Sequence, residues 1–350
     1  MITKGETYII GEIGQNHNGS VDIAKLIVDL VCRPIREDSF DIEIKPINAV
    51  KLTKRDLDEE LSTSQMNRIY NSPNSFGRTY GEHRAYLELS DEEHFDIYTY
   101  AKSKGLDFIE TLCAKGCLSL LKYFTPDYLK VASRDLTNIP LLEAMAETCI
   151  PIILSTGMAG VKELDAALTT ITRFHSDISI LHCVSQYPTH PDNLNLRTIS
   201  YLKKHYGQYN IGFSDHTIGI SAPSIAVALG AEIIEKHITI DRHMKGTDQA
   251  GSIGPEGVCR MVRDIRMTER WLGNELLYID KSVAFAREKL ERSIATKHDM
   301  HKGDVVRIED IHMLSPGDGY KWSQLGEVVG KELLVDIPAN EVIYSSFISR

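Results

Sequence analysis

Short apolar runs alternate with amphipathic stretches from residue 7 to residue 272. Tyr8–Ile13 predicts a buried strand, Val21–Val31 a one-faced helix and Ala49–Leu52 a second strand. Further strands are predicted at Leu106–Glu110, Tyr128–Ala132, Pro151–Ser155, Ile178–Val184, Asn210–Phe213 and Glu232–Lys236. Helices fall between them at Asp91–Ser103 and near 115–124, 139–148, 161–173, 195–206 and 219–230, with a last one near 255–272. Ser90 is placed to cap the helix at Asp91, with acids in its first turn. Strands alternating with helices predict a parallel sheet. Eight such units in about 265 residues fit an α/β fold closed as a (β/α)8 TIM barrel. A doubly wound open sheet is the alternative, but no Gly-x-Gly-x-x-Gly follows the first strand.

Two stretches break the rhythm. Residues 54–90 are polar, irregular and too long for a routine connection, which predicts an inserted lid or hairpin. After Gly273 the texture changes. Residues 274–291 read as a charged linker helix and 292–350 as a small β-rich unit with tight turns. A unit of about 60 residues is marginally stable alone and is expected to lean on a barrel, its own or a partner's.

Composition narrows the classes. Across 350 residues, 42% hydrophobic and 25% charged are the proportions of an ordinary globular protein. A net charge of −10 lacks the basic face of a nucleic-acid binder. The opening Met-Ile-Thr-Lys-Gly-Glu-Thr-Tyr has no signal-peptide core, and no apolar run reaches a membrane span of roughly 18 residues. Six cysteines, scattered in mostly apolar surroundings, read as structural thiols in a reducing cytoplasm. Cys113 and Cys117 have a metal-pair spacing, yet no second pair of ligands lies nearby.

Barrel enzymes gather their chemistry at strand carboxyl ends. Those ends read Glu12, Lys51, Thr111, Lys130 with Ser133, Ser155, Ser185, Ser214 with His216, and His237. Lysines give a phosphate full charge, and hydroxyls give it directional donors. Taken singly, each has a plainer role, such as a serine capping the next helix. Gathered on one edge, they predict an enzyme acting on a phosphorylated, carboxylated substrate beside a divalent metal. His216 and His237 stand 21 residues apart on neighbouring predicted strands and can share that ion. Two protein ligands are few for structural zinc and suit a water-rich Mn²⁺ or Mg²⁺ site. Glu12 or Asp135 would then hold metal-bound water.

Several segments carry a family resemblance. They are Gly-Glu-Ile-Gly-Gln-Asn-His-Asn-Gly (11–19), Ala-Val-Lys (49–51), Phe-Gly-Arg-Thr-Tyr-Gly-Glu-His-Arg (76–84) and Lys-Val-Ala-Ser-Arg-Asp-Leu-Thr-Asn (130–138). Leu-Ser-Thr-Gly-Met (154–158), Ser-Gln-Tyr-Pro (185–188), Phe-Ser-Asp-His-Thr (213–217), Glu-Lys-His-Ile-Thr (235–239) and Gly-Thr-Asp (246–248) follow in order. In these the chain resembles the sialic acid synthases, which condense phosphoenolpyruvate with an N-acylated hexosamine. From about 292, with Pro-Gly-Asp-Gly at 316–319, it is similar to that family's antifreeze-like (SAF) domain. The resemblance implies that Lys51, Thr111, Lys130, Ser133, Ser155, Ser185 and Ser214 bind phosphoenolpyruvate. It implies Mn²⁺ on His216 and His237, with Mg²⁺ or Co²⁺ as alternatives. Glu12, Asp135, Tyr187 and Asp248 would face the sugar aldehyde, its hydroxyls or metal-bound water. A domain-swapped homodimer is also implied.

The implied product is a nonulosonic acid, made from N-acetylmannosamine or its 6-phosphate with C–O cleavage and release of phosphate. The same chemistry on another aldose, giving Kdn, a legionaminate-type acid or an octulosonate, is the alternative. An inactive barrel serving as a binding partner is the alternative of another class, against which the paired histidines and lysines count. The chain departs from the family pattern at a few positions. Arg134 replaces a small residue, Asp135 replaces Glu, Glu110 and Leu112 flank Thr111, Gln249 stands for His, and Ser315 stands for an Arg that contacts the N-acyl group in many bacterial members. Arg134 is a new cation at the site and is expected to read an anionic or differently substituted acceptor.

Overall fold

Eight strands run parallel and close on themselves in a computed structural model that describes residues 5–38 and 41–349. They are β1 (Tyr8–Gly14), β2 (Ala49–Lys54), β3 (Asp107–Leu112), β4 (Tyr128–Val131), β5 (Ile152–Ser155), β6 (Ile178–Cys183), β7 (Asn210–Asp215) and β8 (Ile233–His237). The barrel closes where β1 pairs with β8, from Tyr8↔Ile233 to Glu12↔His237. The expected (β/α)8 barrel is therefore the observed fold. Residues 1–4, half of the segment read as lacking a signal-peptide core, lie outside the described residues.

Side chains alternate across each strand, so parity decides which face each one joins. Outward-facing Ile9, Val50, Phe108, Leu129, Ile152, Ile180, Phe213 and Ile234 pack in the main core with the helices. Each such fully buried side chain contributes roughly 1.5–3 kcal/mol. A second, inner core plugs the barrel with Tyr8, Ile10, Ala49, Ile109, Tyr128, Ile153, Leu181 and Ile233. Two residues beyond seven of these come Glu12, Lys51, Thr111, Lys130, Ser155, Cys183 and Glu235. An apolar plug thus changes to a polar layer one step up seven of the eight strands.

The helices follow the periodic signals, with two corrections. Residues 115–124 form a 3-10 helix, Lys115–Lys122, whose N-terminus at Ala114 has no side-chain cap. The stretch 274–290 is helical only at Lys281–Val283 and Ala284–Leu290. Its apolar residues Leu276, Leu277, Tyr278 and Ile279 are exposed, so no buried face holds the first half in a helix. The 54–90 excursion holds three short helices, Leu57–Glu60, Thr63–Met66 and Tyr80–Leu87, and one bridge, Ile69↔Thr79, rather than a hairpin. A small hairpin, Ile35–Glu37 with Ile42–Ile44, lies outside every sequence expectation.

The chain divides into two compact units, Met1–Gly273 and Asn274–Arg350. The second has its own core around Ile294, Val306, Val328, Leu333 and Ile343. It contains the antiparallel pair β9 (Ser293–Thr296) and β10 (Ile311–Leu314).

Candidate active site

A cavity of about 350 Å³ opens at the carboxyl ends of the barrel strands. Every residue expected to bind substrate or metal lines it except Asp135 and Ser185. Ser185 is nevertheless adjacent. A Cβ on Gly157 would stand 2.5 Å from its Oγ and 2.9 Å from that of Ser133. The Gly157 N–H donates to Ser133 Oγ at 3.0 Å. The turn after β5 therefore packs tightly against two hydroxyls. At the end of β1, Gly14 adopts φ +54° across a register shift that follows Glu12.

The cavity floor is a buried lattice of charge. Lys51 Nζ lies 2.8 Å from Glu12 Oε2 and 3.7 Å from Glu235 Oε2, and it donates to Thr111 Oγ1 at 3.0 Å. Lys130 Nζ donates to Ser155 Oγ at 2.5 Å and lies 3.9 Å from Glu235 Oε2. Ser214 Oγ donates to Glu235 Oε1 at 2.8 Å. All four charged side chains are nearly inaccessible to solvent. Burial pushes the Glu12 carboxyl up to about 7 against the pull of Lys51. Burial also acts on Glu235, yet Lys130 and Lys51 overcome it and hold that carboxyl down at about 2. Burial lowers Lys130, whereas the Glu12 and Glu235 carboxylates outweigh burial at Lys51 and raise it. Opposite charges between two lysines sort the carboxylates into one that stays ionised and one poised to carry a proton.

The histidines form the rim above β7 and β8. Their ring centroids are 5.6 Å apart, and Tyr187 lies 4.0 Å from His216 and 5.9 Å from His237. His216 Nδ1 donates to Val184 O at 2.9 Å. A carbonyl only accepts, so the neutral ring keeps its lone pair on Nε2. Burial and the neighbouring His237 lower His216 to about 4, and burial lowers His237 as well. The buried His237 Nδ1 has no hydrogen-bond partner. Two neutral imidazoles with free lone pairs suit a metal ion. Among the described residues no group of three or more His, Cys, Asp or Glu side chains is arranged for one. The pair thus fits a divalent cation that keeps most of its shell as water or substrate oxygen.

A third wall carries arginines. Arg55, Arg84 and Arg134 all line the cavity. Arg134 Nη2 contacts Cys113 Sγ at 2.8 Å, and its Nε lies 3.3 Å from Asp135 and 3.8 Å from Glu60. Arg84 donates to Gln15 Oε1 at 2.6 Å and to Tyr80 Oη at 2.9 Å. Asp135, expected to face substrate or metal-bound water, instead sits buried behind Arg134, and burial raises its carboxyl. Sequence reading missed Glu235, Arg55, Arg84 and Cys183. Glu235 had a signal, since it shares the inward parity of His237 two residues on.

Other departures from the family pattern have local explanations. Glu110 faces outward and pairs with His94 at 2.6 Å, away from the cavity. Gln249 Nε2 donates to Asn16 O at 3.1 Å, tying its loop to the turn after β1. In the second unit, Ser315 Oγ accepts from Arg292 and donates to Leu290 O.

A closed parallel barrel with paired lysines on its floor and paired imidazoles on its rim defines a class of barrel enzymes that handle small anionic substrates. The chain belongs to the NeuB family, which matches residues 44–276, and a SAF domain matches residues 291–349. It is 31% identical over 345 residues to the N-acetylneuraminate-9-phosphate synthase of Homo sapiens, covering 98% of this chain and 93% of that one. It is 32% identical over 341 residues to the N,N'-diacetyllegionaminic acid synthase of Legionella pneumophila subsp. pneumophila, covering 96% and 93%. The structure of the N-acetylneuraminic acid synthetase of Leptospira borgpetersenii, solved with citrate, superposes with a TM-score of 0.67 at 31% identity, covering 80% of this chain and 90% of that one. The protein is accordingly a transferase of the sialic acid synthase type.

Proposed function

We propose that the protein condenses phosphoenolpyruvate with the aldehyde of an N-acylated hexosamine, giving a nonulosonic acid and phosphate. The observation that carries this reading is the floor. Two buried lysines and the hydroxyls of Thr111, Ser155 and Ser214 converge there beside a neutral histidine pair. C3 of phosphoenolpyruvate bonds to the aldehyde carbon, water adds at C2, and the bridging C–O bond breaks as phosphate leaves. Lys51 and Lys130 hold the anionic groups, and the surrounding hydroxyls orient them. Glu12, held near 7, carries a proton between the attacking water and the oxygen formed from the aldehyde. A divalent ion on His216 and His237, Mn²⁺ before Mg²⁺ or Co²⁺, supplies Lewis-acid polarisation of the aldehyde when bound.

Tyr187, Asp248 and Arg134 face the acceptor, and Arg134 reads its substituents from the arginine wall. Exposed Leu276, Leu277, Tyr278, Ile279, Phe285 and Leu290 support a homodimer, of the swapped kind, in which such side chains are covered. The six free thiols suit a reducing cytoplasm. Among the described residues no helix is long and apolar enough to cross a membrane.

Phosphate release from phosphoenolpyruvate with Mn²⁺ tests the reading across an acceptor panel. The panel is N-acetylmannosamine, its 6-phosphate, a 2,4-diacetamido hexose, mannose and arabinose. Release is expected with an N-acylated hexosamine and lost on chelation. No release with any of the five sinks the synthase reading, and activity that survives a chelator sinks the metal role.

A further inference from the structure

A buried ion pair lies directly behind the two rim histidines. Asp215 and Lys236 are register partners across β7 and β8, and each immediately precedes one of the histidines in sequence. Their parity is opposite to that of Ser214 and Glu235, so they point away from the cavity, and both side chains are wholly shielded from solvent. Lys236 Nζ lies 2.7 Å from Asp215 Oδ2 and also donates to Thr217 O. Asp215 Oδ1 accepts from the Thr217 N–H at 2.7 Å. One lysine and one carboxylate therefore hold both ends of the Asp215-His216-Thr217 turn and tie it to the residue before His237. Outside the pair, the His216 carbonyl accepts from Thr189 N at 3.0 Å and the His237 carbonyl from Ile253 N at 2.9 Å. Those bonds fix each backbone to its own loop, whereas the ion pair, next to the Ser214–Glu235 hydrogen bond one residue back on each strand, links the two histidine segments through side chains.

We infer that the Asp215–Lys236 pair is the positioning device that sets the spacing of His216 and His237 for a shared divalent cation. A buried ion pair is a poor source of stability, since well-packed neutral residues often replace it without loss. What it supplies here is geometry. It touches neither cavity nor ring, and it acts by fixing the strand ends that aim the rings. Groups that orient metal ligands from behind typically contribute 10–100-fold to metal affinity. The inference rests on the metal role proposed above.

The test is Mn²⁺ binding to the full chain, followed by calorimetry or by the loss of the free-ion paramagnetic resonance signal. The neutral double variant Asp215→Asn with Lys236→Met removes the clamp while keeping its volume. It is expected to fold, to bind phosphoenolpyruvate as the parent does through the lysine floor, and to lose about 10–100-fold in Mn²⁺ affinity. A second neutral pair, Asp215→Leu with Lys236→Leu, leaves no buried charge unpaired, stands in if the first variant does not fold, and should show the same loss. A merely structural pair would lower the melting temperature and leave the Mn²⁺ affinity of the folded variants unchanged, which would overturn the inference. No Mn²⁺ binding by the unaltered protein overturns the metal reading and the clamp together. Tight binding by both parent and variants overturns the clamp alone.

Discussion

The floor and the rim of the cavity are both buried and both polar, yet they are built on opposite principles. The floor keeps full charges away from water and balances them against each other, Lys51 with Glu12 and Lys130 with Glu235. The rim keeps its two titratable rings neutral and leaves nitrogen lone pairs unmatched. A balanced lattice can hand its cations to an incoming anion without moving them. A neutral, undersupplied rim has no use for an anion and is suited to a cation. On the proposed function the difference divides the labour, with anion binding below and electrophile activation above, and it makes the two layers respond differently to the same kind of change.

The largest contrast is expected on deletion. Lys130→Met strands the Glu235 carboxylate in the floor. Denaturant titration should show a loss of about 3–5 kcal/mol, and phosphate release should fall by about 10³-fold. His237→Asn removes a neutral group, so stability should move by no more than about 1 kcal/mol, while Mn²⁺ binding falls below detection. Equal destabilisation by the two substitutions would erase the distinction between floor and rim.

The pH dependence of metal-free stability sharpens it further. Glu12 has a folded value of about 7 against an ordinary 4.5. Its contribution is fully present below 4.5 and is lost as pH rises through 7. His216 has a folded value of about 4 against an ordinary 6.5. Its contribution is present above 6.5 and is lost as pH falls through 4. Each shift corresponds to an effect on the order of 3 kcal/mol. Melting curves from pH 4 to pH 7 should therefore rise more steeply with pH in Glu12→Gln and less steeply in His216→Asn. The same change of slope in both variants would contradict the assignment.

The smallest effect belongs to the arginine wall. Arg134→Gly should change the ratio of kcat/KM between acceptors by about 10–100-fold, the value of one hydrogen bond to a charged group, and leave KM for phosphoenolpyruvate unchanged. An unaltered ratio across the acceptor panel would remove Arg134 from specificity.

The barrel and most of its mouth were legible because strand parity is written in the sequence. Apolar residues at 10, 49, 109, 128, 153, 181 and 233 put Glu12, Lys51, Thr111, Lys130, Ser155, Cys183 and Glu235 on the inner face above them. Glu235 and Cys183 share that parity, but His237 and Ser185, two residues on with the same parity, stand beyond the predicted strand ends and take their place in an end-by-end reading. Asp135 was misplaced for a different reason. It follows β4 within the 3-10 turn Ser133–Asp135, where period-two alternation no longer applies, and its neighbour Arg134 takes the cavity wall. The 54–90 insertion has no period of its own. Its contribution to the cavity, through Arg55, Tyr70 and Arg84, arises from tertiary contacts that no local pattern encodes.

The central claim is that the lysine floor binds phosphoenolpyruvate for attack at carbon, with phosphate leaving by C–O cleavage. Phosphoenolpyruvate carrying heavy oxygen in its bridging position, turned over with an accepted aldose and Mn²⁺, tests it by mass spectrometry of both products. The label is expected in the released phosphate, with a keto oxygen drawn from water in the sugar acid. Label retained in the sugar acid, with unlabelled phosphate, would contradict it.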